Sequence, residues 1–554
     1  MDNTLNVYCL NTGTDIAVEP GESLSDLAQS LDLGFEPISA LVNNRHEHMS
    51  FRIYRPRTVR FIAKTEAAGQ RAYVRSLCMM LYCAISRVCP QAVLTIEHSL
   101  SGGYFCRLGR DVECTPEVVE AIAKEMRSLV ERDLPFILHE VPTAEAIEVF
   151  KRQGLTDKVE LLESAREMYT KYYSLDGIAD NFYSVLAPST GMVDVWQLRP
   201  FKDGLLMMAF DAKNPEQPAA FVPQEKMFKA FTDYIAFNKI IGVDSVNALN
   251  QALEHGHAAD LVNVSEALHE KALTRIADEI TRRYQQGGAR VVLISGPSSS
   301  GKTTSTKRLA IQLMTNLLRP QMISLDDYFV DRVHTPRDEK GDYDYESLYA
   351  LDLEQFNRDL ADILAGKEVA LPTYNFQTGQ REYRGNTIAL TPGSILLIEG
   401  IHGLNPELTA QIPDELKFRL YVSALTTINI DGHNWIPTTD NRLLRRIIRD
   451  NSFRGTDALN TIRRWPGVRR GEEKWIFPYQ ENADAMFNSS LLYELAVLGQ
   501  FAEPLLKQVP RDTVEYSEAQ RLLRFIHYFK PIALDLVPST SLMREFLGGS
   551  SFTY

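Results

Sequence analysis

The sequence predicts an α/β protein whose later half is a parallel sheet with helices on both faces, preceded by a small β-rich unit and an α+β unit. Three observations carry that reading. The runs Val291-Val292-Leu293-Ile294, Met322-Ile323-Ser324-Leu325 and Ser394-Ile395-Leu396-Leu397-Ile398 are almost continuously apolar, as strands covered on both faces must be. Helix-like segments separate them, giving the β-α-β order of a parallel sheet. The first run opens onto Gly296-Pro297-Ser298-Ser299-Ser300-Gly301-Lys302-Thr303-Thr304, a glycine-rich turn into a helix that has the form of a phosphate-binding P-loop.

With 554 residues the chain exceeds what one core supports, so several domains are expected. Residues 1–64 alternate β-like runs (Leu5 to Leu10, Ile16 to Val18, Phe51 to Tyr54, Val59 to Ile62) with one helix, Ser23 to Leu31, opened by the capping pattern Ser23-x-x-Asp26. This order resembles the TGS domain, a ubiquitin-like β-grasp module of threonyl-tRNA synthetases and some GTPases. Residues 65–240 alternate helices (Gln70 to Val88, Pro116 to Arg132, Thr143 to Gln153) with strands such as Val93 to Glu97 and Gly103 to Leu108. They resemble the α+β editing domain of the same synthetases. Where that family has an H-x-x-x-H pair, this chain has Tyr73 and Leu77, and no Cys or His ligand follows around Leu186 to Gly191. The expectation is therefore a scaffold or binding role rather than metal-dependent editing, with His98 a surface or packing residue. Residues 241–284 read as a helical connector, 285–500 as the P-loop domain, and 501–554 as a C-terminal extension with a helix near Arg521 to Tyr528.

Composition removes several classes. No apolar run approaches the roughly 20 residues needed to span a bilayer, and Met1-Asp2-Asn3-Thr4 lacks the form of a secretory signal, so a cytoplasmic protein is expected. The six cysteines lie within the first 114 residues without a C-x-x-C pair and read as reduced thiols. A formal charge of −13 argues against a nucleic-acid-coating surface, making nucleic acid an unlikely partner. A homo-oligomer stays open.

The chemistry is read from what accompanies the P-loop. Amides from Gly296 to Thr304 converge where a helix dipole is positive, Lys302 reaches the outer phosphates, and the Thr303 hydroxyl is a magnesium ligand. The next run ends in Asp326-Asp327, expected on the strand adjacent to the P-loop, where a carboxylate can accept the proton of an attacking hydroxyl. The third run ends in Glu399, a second magnesium ligand beside Thr303. Tyr343-Asp344-Tyr345-Glu346 and Leu371-Pro372-Thr373-Tyr374-Asn375-Phe376 suit an acceptor pocket. From 441 to 474 ten basic residues accompany four acidic ones, a net of +6, and Arg442, Arg445 or Arg446, and Arg449 fall along one helical face able to close over a triphosphate.

The strings GPSSSGKTT, SLDDYF, YDYE, PTYNF, LLIEG and RRIIRDNSFRG, in this order, resemble the uridine kinase branch of the uridine kinase and phosphoribulokinase family, and the whole chain resembles its longer bacterial members. The resemblance implies a P-loop kinase fold with ATP or GTP as donor, Mg2+, and a small-molecule nucleoside as acceptor. It makes Asp326 the base and Asp327 the replacement for a serine. Asp344 would hold the sugar and Tyr374 would lie near the nucleobase. Arg446 and Arg449 serve catalysis, Arg446 the acceptor as well, and Arg454 the donor phosphates. Two departures, Gly379 for a histidine and Thr456 for a lid arginine, fall at specificity positions. Phosphorylation of a pyrimidine nucleoside, most simply uridine, is the leading expectation. The alternatives are a kinase of another hydroxylated metabolite and an RNA- or ribosome-associated regulatory NTPase.

Overall fold

Five parallel strands form the central sheet of the later half, in the order Arg319–Ser324, Ser394–Glu399, Val291–Ser295, Lys417–Ser423, Ala485–Asn488. The protein is described from a computed structural model, which covers residues 4–109, 111–164, 167–339 and 341–553; the opening Met1-Asp2-Asn3 lies outside them. The strand order corrects one expectation. The strand leading to Asp326 is an edge strand, and the strand ending in Glu399 sits between it and the P-loop strand.

Alternation along these strands explains why they are apolar throughout. Val292, Ile294, Ile395, Leu397, Leu420 and Val422 face Leu273, Ile276 and Ile280 of the helix Ala258–Gln285, together with Leu309 and Leu313 of the P-loop helix Lys302–Thr315. Val291, Leu293, Leu396 and Ile398 face the other way, onto Phe356, Leu360 and Ile363 of the helix Leu353–Leu364. A helix-covered sheet puts every strand's C-terminal end at one edge, where ligands bind in such folds.

Residues 4–63 form a five-stranded sheet ordered Thr14–Val18, Leu5–Cys9, Arg57–Ala63, Pro37–Val42, Arg45–Glu47, with the pair Leu5–Cys9 and Arg57–Ala63 parallel. The helix is Leu24–Gln29, and its Ser23/Asp26 capping box is formed. The stretch Phe51 to Tyr54, expected as a strand, contributes only a single bridge at Arg52. Pro37–Val42, a short run without polar alternation, was not anticipated.

The next unit carries a four-stranded antiparallel sheet and a three-stranded one, with helices Ala67–Val88, Pro116–Arg132 and Thr143–Gln153. The Tyr73 hydroxyl donates to the Val195 carbonyl (2.9 Å) and accepts from its N–H (2.8 Å), and Leu77 is buried, so both are packing residues. His98 is buried as well, stacked on Phe231 at 4.0 Å between ring centres. Five cysteines are buried and Cys114 is half-buried.

Among its contacts with the later half, the unit grips a hairpin, Asn429–Asp431 with Asn434–Trp435. Lys158, fully buried, lies 2.8 Å from both Asp180 and Asp431. Burial disfavours its charge, but the surrounding carboxylates outweigh that and hold the ammonium protonated. Arg75 caps Trp435 at 3.6 Å. The hairpin runs directly into the helix Thr438–Arg454, which carries the predicted lid arginines. Beyond it, the helix Glu494–Lys507 crosses residue 500, and the helices Tyr516–Ile526 and Arg544–Leu547 follow. No helix among the described residues is long and apolar enough to cross a membrane.

Candidate active site

The P-loop is shaped by close approach. A Cβ at Gly296 would lie 2.0 Å from the Val422 carbonyl oxygen, so only glycine lets the loop leave the sheet there. Gly301, at φ +80°, is the N-cap of the helix Lys302–Thr315. Between them the loop carbonyls point back into the protein. Ser298 O accepts from Arg442 Nε (2.9 Å), Ser299 O from Arg445 (3.3 Å), and Ser300 O from the Ser489 hydroxyl. The Ser298 N–H donates to Glu472 Oε1 (3.2 Å), the carboxylate that also pairs with Arg442, so the loop is fixed from behind through both carbonyls and an amide. The Ser299 and Ser300 hydroxyls are buried and find no partner, which suits a loop built to receive an anion.

These contacts revise the arginine stripe. Arg442 and Arg445 are 1% and 0% exposed, paired with Glu472 and Glu494 respectively, and therefore brace the loop instead of closing over it. Arg446, Arg449 and Arg454 do line the cleft. Arg446 donates to the Ser298 hydroxyl (2.7 Å), and Asp450 holds all three arginines from one side. Helical period does not make this split, because Arg449 falls between Arg442 and Arg445 around the helix; the packing of Ser298, Ser299, Glu472 and Glu494 against Arg442 and Arg445 makes it.

At the sheet's C-terminal edge the predicted residues assemble. The Thr303 hydroxyl donates to Glu399 Oε1 (3.2 Å), and Ser324 Oγ lies 3.5 Å from the same oxygen. Asp326, on the turn after the edge strand, is exposed into the cleft. Lys302 donates to the Pro297 carbonyl (3.2 Å); burial pulls its pKa down against the nearby Glu399 and Asp326. Burial pushes Glu399 up to about 7, with Asp326 and Glu545 adding to the effect and Lys302 opposing it. A hydroxyl and a crowded carboxylate, both oxygen donors, fit one hard cation that shares its remaining positions with phosphates and water. Among the described residues no three or more acidic, His or Cys side chains are placed to hold a metal ion by themselves.

The acceptor end of the cleft, about 2330 Å³ in all, differs from expectation. Asp344 borders it, but its Oδ1 accepts from the Glu346 N–H (3.2 Å), a turn contact. Glu346 turns inward instead: its Oε2 is buried without a partner, and burial pushes its pKa up to about 7, partly offset by Arg446. A mid-helix glycine was the available signal. A Cβ at Gly471 would lie 2.2 Å from that of Glu346, and the helix Ala458–Trp475 admits the side chain only there. Tyr374 is buried against Phe329 and Phe376 (5.5 and 5.1 Å), and its N–H donates to Asp327 Oδ1 (3.2 Å). Arg332, unnoticed in the sequence, lies beside Gly379 with its guanidinium 2.6 Å from the Phe376 carbonyl. Glu545, from the C-terminal extension, also reaches the cleft.

Residues 291–491 match the model of the Phosphoribulokinase / Uridine kinase family. Uridine kinases of Staphylococcus epidermidis RP62A and Staphylococcus aureus JH9 are each 28% identical over 195 residues, 35% of this chain and 84% of theirs. Among solved structures, a possible uridine kinase from Bacillus stearothermophilus aligns at 21% identity, covering 36% of this chain and 89% of its own, with a TM-score of 0.25. The matched span begins at the P-loop strand and ends past the lid helices, so of the donor-side groups described above only Glu494 and Glu545 fall outside it. Residues 291–491 are a phosphoribulokinase/uridine kinase family domain, and the chain is a phosphotransferase with an alcohol group as acceptor.

Proposed function

We propose that the domain transfers the γ-phosphoryl group of ATP (or GTP) to the 5′-hydroxyl of a pyrimidine nucleoside, most simply uridine to UMP. The observation that carries this is the meeting of Thr303, Glu399 and Asp326 at one sheet edge, from three segments of the chain, with Lys302 beside them. Lys302 and the loop amides hold the phosphates. Thr303 and Glu399 would hold Mg2+, which supplies charge neutralisation on the phosphates when bound. Asp326 takes the proton of the acceptor hydroxyl as its oxygen bonds to the γ-phosphorus and the bond to the leaving diphosphate breaks. Arg446, Arg449 and Arg454 offset charge on the moving phosphoryl group and keep water, a competing acceptor, out. Glu346 and Asp344 face the sugar, and Tyr374 with its aromatic neighbours faces the base. Purified protein with Mg-ATP and a nucleoside panel tests this. Uridine should stimulate ADP release above the water rate, and a panel in which no nucleoside does so would remove the reading.

One observation favours a second acceptor class. Arg332 beside Gly379 places a cation where the related kinases usually present a histidine, so another small hydroxylated metabolite, a sugar or polyol, is the alternative. Adding pentose phosphates and glycerate to the panel separates the two. For residues 1–64 the TGS-like reading is supported by the mixed sheet around Leu5–Cys9, and for residues 65–240 a scaffold role, rather than metal-dependent editing, is supported by the packing of Tyr73 and Leu77. Residues 65–240 would serve to hold the hairpin that leads to the lid helix.

A further inference from the structure

The C-terminal segment folds back and docks on the P-loop. The Arg544 guanidinium gathers it, donating to the carbonyls of Leu534 (3.0 Å) and Val537 (2.6 Å). Ser541 Oγ lies 3.2 Å from the Tyr493 hydroxyl, and the Ser551 N–H donates to the Ser539 carbonyl (3.0 Å). Leu542 sits on Gly301 so closely that a Cβ there would be 2.7 Å from a Leu542 methyl. The result is that Glu545 lands on the first turn of the P-loop helix. Its Oε2 accepts from the Thr304 N–H (3.2 Å) and from the Thr304 hydroxyl (2.6 Å).

Those donors have a second claimant. The first-turn N–H groups of a P-loop helix are where the inner phosphates of a nucleotide bind, because the donors and the helix dipole both favour an anion. A helix is ordinarily capped by the side chain of its own N-cap residue, and Gly301 has none to offer. A carboxylate from some 240 residues away fills that place. It also joins Asp326, Glu346 and Glu399 around Lys302. Glu545 thus adds a negative charge at the point where the inner phosphates would sit, while Arg446, Arg449 and Arg454 line the cleft farther along the lid helix.

We propose that residues 541–553 are an intrasteric gate on the donor site, with Glu545 standing in for the inner phosphate of a nucleoside triphosphate. The proposal rests on the donor-site reading above. When the gate is seated, the Thr304 donors are occupied and a negative charge faces the incoming phosphates. Nucleotide binding lifts Glu545 away, and Leu542 with it, from the loop. Apparent affinity is then the intrinsic affinity scaled by the fraction of molecules with the gate lifted.

The test uses the full-length protein with Glu545→Gln and Glu545→Ala, titrated calorimetrically with ADP and with ATP in the presence of Mg2+. Glu545→Gln keeps shape and removes charge, so it retains the packing of Leu542. Both variants should bind nucleotide more tightly, by about tenfold for a gate seated about nine-tenths of the time. In the wild-type protein, nucleotide should deprotect the amides of 541–553 in hydrogen exchange. Affinity unchanged or weakened in both variants, or a segment that gains protection with nucleotide, overturns the gate while leaving the donor site standing. Absence of nucleotide binding in wild type and variants alike overturns the donor-site reading and the gate together.

Discussion

The Arg332 side chain rests on Gly379. The Arg332 N–H donates to the Gly379 carbonyl (2.8 Å), and a Cβ added at Gly379 would lie 2.8 Å from Arg332 Cβ and Nε. Gly379 sits at φ +74°, so its lack of a side chain serves both the turn and the arginine above it. Arg332 Nε in turn reaches the Tyr345 hydroxyl at 3.2 Å, which ties the tip of the hairpin Thr373–Asn375/Gln380–Glu382 to the acceptor wall.

Arg332→Ala therefore acts on the acceptor and leaves the donor alone. Its acceptor KM should rise by about ten- to a hundredfold, the effect of losing hydrogen bonds from a charged group, while the nucleotide Kd stays at the wild-type value. Gly379→Ala should lower stability by about 1–2 kcal/mol from the left-handed backbone alone, read from denaturant unfolding.

Asp326→Asn separates chemistry from binding. Its turn is held by Leu325 and Tyr328, both buried, so the fold is not at stake. The kcat should fall by about 10²–10⁴-fold, the usual effect of removing a general base, with nucleotide affinity retained. Lys302→Met, in contrast, should lose both.

The arginines should divide by burial. Arg445→Met leaves Glu494 unpaired in the interior and should cost about 3–5 kcal/mol of stability. Arg449→Met leaves Asp450 still paired with Arg446 (3.3 Å), so the unfolding midpoint should move little. Its kcat should drop by about 10³-fold, as for an arginine that meets a transferring phosphoryl group. Paired measurements of unfolding and turnover on both variants check the contrast.

Stability of the nucleotide-free protein should depend on pH through Glu346 and Glu399. Burial raises both from 4.5 to about 7, so the folded state binds protons that the unfolded chain has released. Their stabilising contribution is complete below about pH 4.5 and is lost as pH rises through about 7. The thermal midpoint of the wild-type protein minus that of Glu346→Gln should fall across that window and level off above it.

Local chemistry is what the sequence by itself determined. The P-loop, the apolar runs that become covered strands, the Ser23/Asp26 cap and the carboxylates ending the runs at Asp326 and Glu399 are each specified by consecutive residues, because backbone geometry and strand burial are short-range properties. Asp344 looked like the acceptor carboxylate for the same local reason, being the acid inside the motif. Only the tertiary structure brings Glu346 into the cleft beside it, since that side chain passes Gly471 in a helix more than a hundred residues later. The order of the strands, the burial of Arg442 and Arg445 beneath the loop, the placing of Arg332 on Gly379 and the arrival of Glu545 at Thr304 were settled in the same way. Each depends on which distant surfaces pack together, and packing partners leave no trace in the spacing of neighbouring residues.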